Sequence, residues 1–159
     1  MLQTVRQTID SVLAVILSGI MTVLVFFALW QVFTRYVLGD PSVFTEEFLR
    51  YAMVWMAMLG AVYAFGQQKH LALTFISDKT CGNKRLALMI ATDLIIVLFA
   101  VAVMVKGGTA LAASSIHQIT PVLGLSMGMV YAIVPISGGL IIVTKALDMI
   151  AYIQSALKG

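Results

Sequence analysis

Residues 45–70 read TEEFLRYAMVWMAMLGAVYAFGQQKH: acids and a base at one end, a long apolar run, then a polar exit at Lys69 and His70. Thr45 has the chemistry of a helix N-cap. Glu46 and Glu47 then fall in the first turn, where carboxylates favour the positive end of the helix dipole. Arg50 follows Glu46 by four residues and Glu47 by three, so all three can share one face. Ala57, Ala61 and Ala64, with Gly60 beside them, form a small-residue stripe of the kind that lets membrane helices approach closely. The stretch is a membrane helix with a charged cluster at its mouth.

Composition extends that reading to the whole chain. Of 159 residues, 61% are hydrophobic and 11% charged, with a mean hydropathy of +1.02. A soluble domain carries roughly a quarter charged residues, so the fold class is all-α integral membrane, in one domain spanning residues 1–159. The net charge of +3 is spread singly between apolar runs, which is no footprint for nucleic acid. One cysteine, Cys81, excludes an internal disulfide, a CxxC redox pair and a cysteine metal cluster.

Four spans are predicted, at about 12–34, 45–66, 86–106 and 122–145, each long enough for a hydrocarbon core of ~30 Å. The first is too long for a signal-peptide core; a retained signal anchor is its alternative reading. Trp30, Phe33 and Tyr36 give its outgoing end an aromatic belt, and Gly39-Asp40-Pro41-Ser42 turns the chain towards Thr45. After Gly66, Leu71, Ala72, Phe75 and Ile76 recur at helical spacing. They suggest a short interfacial helix after helix two, or a continuation of that helix by a turn or two. Lys106-Gly107-Gly108 closes helix three, although Thr109 to Ala113 could extend it. In helix four, Pro135 with Gly138 and Gly139 predicts a kink, and Gly124 and Gly128 supply a weak GxxxG spacing. Lys145 to Lys158 continues it as an amphipathic tail.

The bases set the orientation. With both termini inside, Arg6, Lys69, Lys79, Lys84, Arg85, Lys145 and Lys158 lie on the inner side; Arg35, Arg50 and Lys106 lie on the outer side. That bias predicts an N-in/C-in protein, with the Glu46 cluster outside and His70 inside.

Asp93, inside the third apolar run, must be paired, hydrogen-bonded or protonated. It reads first as a structural contact with another helix or partner, or with the inner interface near Arg85. Second, it reads as a coupling-ion or proton site. The Glu46, Glu47 and Arg50 cluster, which Arg35 could complete across the short loop, serves either capping or subunit docking. His70 and His117 fall on opposite sides and cannot share a metal or a haem. Trp55 and Met53, Met56 and Met58 read as packing or lipid contact. There is no P-loop, nucleophile elbow, catalytic carboxylate pair or metal-ligand spacing, and no cofactor is called for. Nor do the spans carry the broken, polar-lined centres of a complete transporter.

The ordered set Arg35-Tyr36, Thr45-Glu46-Glu47, Arg50, Trp55, Leu59-Gly60, Ala64 and His70, in a four-span chain of this length, resembles one family. It is similar to the small membrane subunits of tripartite ATP-independent periplasmic (TRAP) transporters, a match that extends over nearly the whole chain. The family often has Trp before the capping residue, where this chain has Phe44. The resemblance implies a scaffold subunit in the bacterial inner membrane, surrounded by lipid. It would pair with a large multi-span subunit carrying the substrate and sodium sites, and with a soluble periplasmic receptor. The cargo would be an organic acid such as a C4-dicarboxylate or sialic acid. Contact candidates on this chain are then Arg35, Glu46, Glu47, Arg50, Trp55 and His70, with no substrate site. The rival reading is a quinone- or haem-bearing membrane anchor of a respiratory oxidoreductase, which would want two histidines within spans. A homodimeric multidrug transporter would want an acid inside helix one, which is uncharged between Asp10 and Arg35.

Overall fold

The computed structural model describes residues 2–67 and 83–157, with side chains described over 6–66 and 90–150. The interfacial helix predicted after helix two, His70 and Cys81 lie outside the described residues. Within them the chain is helical, with no strand beyond an isolated bridge between Ile119 and Ser126. α1 (Leu2–Phe33) runs on into a π-helical turn, Thr34–Leu38, closed by Gly39 at a left-handed φ of 68°. α2 covers Val43–Gln67. α3 (Asn83–Phe99) continues through a π-helical stretch, Ala100–Gly107, into α4 (Gly108–Ser114). The short α5 (Met127–Tyr131) leads into α6 (Ile133–Leu157). Among the described residues four segments are long and apolar enough to cross a membrane: Arg6–Leu38, Val43–Gly66, Ile90–Ser114 and Met127–Ile150.

The α6 helix is the hub. It packs against α2 on one side and against the Ala100–Gly107 stretch on the other, and it also touches α1. Ile133, Ser137, Ile141, Thr144 and Asp148 recur every three or four residues and are all buried, the helical stripe that faces the other spans. Leu13, Leu59, Val62, Ala100 and Met104 complete the core around it. The third span comes very close to α6. A Cβ on Gly138 would stand 2.7 Å from the Met104 Cβ, and one on Gly108 would stand 2.9 Å from the Pro135 Cδ. Only glycine admits such an approach.

Three local features depart from the sequence reading. Helix two begins two residues early, because the Ser42 hydroxyl takes the capping position 3.4 Å from the Thr45 amide nitrogen; Thr45 itself is buried. Helix three passes through Gly107 and Gly108 to Ser114, since Gly108 is held helical against Pro135 and is not a stop. Helix four starts at Met127, capped by the Ser126 hydroxyl. Its break falls at Ala132, just ahead of Pro135, whose ring nitrogen has no proton to give the preceding turn. Gly124 and Gly128 therefore share no helix face. Gly124 sits in a turn at φ 65°, while a Cβ on Gly128 would stand 2.7 Å from the Ala112 carbonyl oxygen.

Candidate functional site: charged groups at the two ends of the bundle

At the mouth of α2 the two adjacent acids take different surroundings. Glu46 stays exposed and pairs with Arg50 one turn on, Oε1 to Nη2 3.3 Å. Glu47 turns inward and is buried. Its Oε2 accepts a hydrogen bond from the Val122 amide at 2.9 Å, and its Oε1 accepts one from the Tyr51 hydroxyl at 3.3 Å. The segment it grips is a compact hairpin. The Thr120 amide donates to the Leu125 carbonyl at 2.9 Å, and the Met127 amide to the Gln118 carbonyl at 2.8 Å. The Leu125 amide donates to the Thr120 hydroxyl at 2.9 Å, and the Ser126 hydroxyl to the Ile116 carbonyl at 2.6 Å. Glu47 thus staples the loop between the third and fourth spans onto α2. The predicted three-residue cluster divides into an exposed pair and a buried staple.

Arg35 is exposed and forms no ion pair with this cluster among the described residues; it sits on the π-helical turn that prolongs α1. Trp55 is half-exposed and lines a groove of about 570 Å³ with Ile20, Phe48, Leu125 and Met129, its walls almost wholly apolar. His117 is exposed in the hairpin.

The opposite end holds a layer of buried and half-buried charge from three of the spans, to which the second adds a backbone carbonyl. The Lys145 Nζ of α6 donates to the Asp93 Oδ1 at 2.7 Å, and both side chains are buried. One turn further along α6, Asp148 pairs with Arg6 of α1. Arg6 also reaches Asp10, Nε to Oδ2 3.7 Å, and donates to the Gly66 carbonyl at the end of α2. Gly66 leaves room for this: a Cβ there would stand 3.2 Å from Asp10 Oδ1. Each charge has a neighbour of opposite sign, the condition under which ionised groups are tolerated away from water.

Asp93 is therefore paired within the chain, by a base on the neighbouring helix. Sequence reading singled out Asp93 but gave Lys145, Arg6, Asp10 and Asp148 no specific role. The available signal was topological, since a hairpin stack of four spans brings the start of helix one, the end of two, the start of three and the end of four to one side. Among the described residues no cluster of histidine, cysteine and carboxylate side chains could hold a metal ion.

Residues 21–154 match the family model described as tripartite ATP-independent periplasmic transporters, DctQ component. Among curated proteins, the chain is similar to the sialic acid TRAP transporter small permease protein SiaQ of Vibrio cholerae. They are 27% identical over 158 residues, covering 99% of this chain and 90% of that protein. It is also similar to a protein described as a TRAP transporter small permease of Haemophilus influenzae. Here identity is 26% over 156 residues, covering 96% of each.

Proposed function

The chain belongs to the DctQ-component family of tripartite ATP-independent periplasmic transporters, and from that premise we propose a scaffold role for it in receptor-dependent, sodium-driven uptake of an organic acid. As a small permease subunit it is a transport component, not an enzyme, and a multi-pass protein of the bacterial inner membrane. In the proposed assembly it widens and braces a large membrane subunit that carries the substrate and sodium sites, and its outer end helps seat a periplasmic receptor. The cargo is an organic acid of the C4-dicarboxylate or sialic acid type; the similarity to the Vibrio sialic acid transporter subunit favours the second.

The observation that carries this reading is where the charges go. The buried acids of the inner layer and the mouth are engaged by groups of the same chain: Asp93 by Lys145, Asp148 by Arg6 and Glu47 by Val122 and Tyr51. A transport path needs polar groups that can exchange partners with a passing ion. These are committed to holding helices together. The distribution of bases supports an orientation with the Arg6–Asp148 layer at the cytoplasmic face and the Glu47 staple at the periplasmic face. The exposed Glu46–Arg50 pair then faces the receptor side.

Proteoliposomes test the assignment. Under an inward sodium gradient, labelled sialic acid or succinate should accumulate only when this chain, the large subunit and the receptor are all present. Uptake by this chain alone would overturn the scaffold role.

A further inference from the structure

Lys106, which the sequence reading sets among the outer-side bases at the close of helix three, lies inside the third span, and no counter-charge meets it among the described residues. It lies in the π-helical stretch Ala100–Gly107, with eight more residues of span before Ser114. Its height is fixed by two contacts between the third span and α6. Gly138 meets Met104 and Val105 just before it, and Gly108 meets Pro135 and Val134 just after it. Lys106 therefore stands level with about Ile136, nine residues inside the fourth span, Met127–Ile150. At 1.5 Å per residue that is about 14 Å from the end of the span, further than a four-carbon stem can reach.

The side chain is exposed, so it points away from the other spans of this chain. Among the described residues no acid pairs with it. Asp10, Asp93 and Asp148 are engaged in the charged layer at the far end, Glu46 and Glu47 are engaged at the mouth, and Asp40 lies in the loop ahead of α2. An ammonium group facing hydrocarbon at this depth is expensive and calls for a counter-charge.

The surface around it suits a close-packed helix. Ala102, Gly107, Thr109, Ala110 and Ala113 are exposed and small, with the exposed Val103 beside them. Gly107 is open: a Cβ there would find nothing nearer than 4.0 Å, and that is its own helix's carbonyl. The contrast with Gly108 and Gly138 is informative, because their place is dictated by α6 and that of Gly107 is not. π-helical turns are themselves rare and are frequently found at functional sites.

We propose that the Lys106 face of the third span is where a membrane helix of the large subunit docks, bearing an aspartate or glutamate that pairs with Lys106. This rests on the scaffold reading above and adds the face and the chemistry of the contact. A second copy of this chain is a poor occupant, since its described acids lie at the two ends and none stands at that height. The small residues bring the backbones together, and the ion pair sets register and partner choice.

The test uses the complete chain co-expressed with its large subunit. Lys106→Met removes the charge while making the span more apolar, so membrane insertion is kept. It should cut recovery of the large subunit roughly 3- to 20-fold, the range of interhelical polar contacts in membranes. Lys106→Arg should recover most of it. In a second measurement Lys106 is left in place. Ala110→Cys in a Cys81→Ser background, labelled with a photoreactive maleimide, should cross-link to a helix of the large subunit. Wild-type recovery for Lys106→Met, or cross-links only to phospholipid or to a second copy of this chain, would overturn the proposed face while leaving the scaffold role intact. Failure of the wild-type chain to recover any large subunit would overturn both.

Discussion

Removing Lys145 would strand the Asp93 carboxylate at a buried position with its partner gone. Breaking one side of such a pair costs about 3–5 kcal/mol, whereas replacing both partners by apolar groups is often close to neutral. Lys145→Met should therefore lower thermal stability in detergent by about that amount. The double replacement Asp93→Leu with Lys145→Met should recover most of it. At the mouth the buried staple and the exposed pair predict opposite outcomes. Glu47→Ala leaves the Val122 amide without its acceptor and should cost about 1–3 kcal/mol, read by the same unfolding measurement. Arg50→Glu disturbs an exposed pair worth at most about 1 kcal/mol, so stability should barely move. Receptor-dependent uptake should nevertheless fall for Arg50→Glu if this pair faces the receptor. An Arg50→Glu complex that transports like wild type would reduce the pair to helix capping.

At the scale of the element, α6 organises the bundle because its two sides carry different chemistry: a stripe from Ile133 to Asp148, and glycines where the third span crosses. Gly138 and Gly139 separate the two uses of glycine. Gly138→Ala would drive its methyl into the Met104 Cβ, an overpacking cost of about 1–3 kcal/mol. Gly139→Ala meets nothing within 4 Å and should be neutral or stabilising by up to about 1 kcal/mol, since alanine is the better helix former. Equal effects of the two substitutions on unfolding would contradict the packing described. The existence of four spans was legible because run length and hydropathy are properties of single segments. Their ends were less so. Ser42 rather than Thr45 caps α2, and Gly108 continues a helix it was read as ending. Both outcomes depend on what another residue reaches in three dimensions. The charged layer was hidden for the same reason: nothing in the local spacing of Arg6 and Asp10, or of Lys145 and Asp148, says that they meet.

As a whole molecule, the protein is a membrane bundle fastened at both ends, by the Glu47 staple at one and by the Arg6–Asp148 and Lys145–Asp93 pairs at the other. Such fastening suits a subunit that stays rigid while a partner moves. It predicts that the intramembrane charge most reminiscent of a coupling site can be discarded without loss of coupling. The most direct measurement is uptake under an inward sodium gradient, with receptor present, by the reconstituted complex carrying Asp93→Leu with Lys145→Met. Uptake and its dependence on sodium should match wild type to within about twofold, since the pair supplies packing that apolar side chains can replace. A complex that assembles normally yet loses its sodium dependence would contradict the scaffold role and place part of the coupling machinery on this chain.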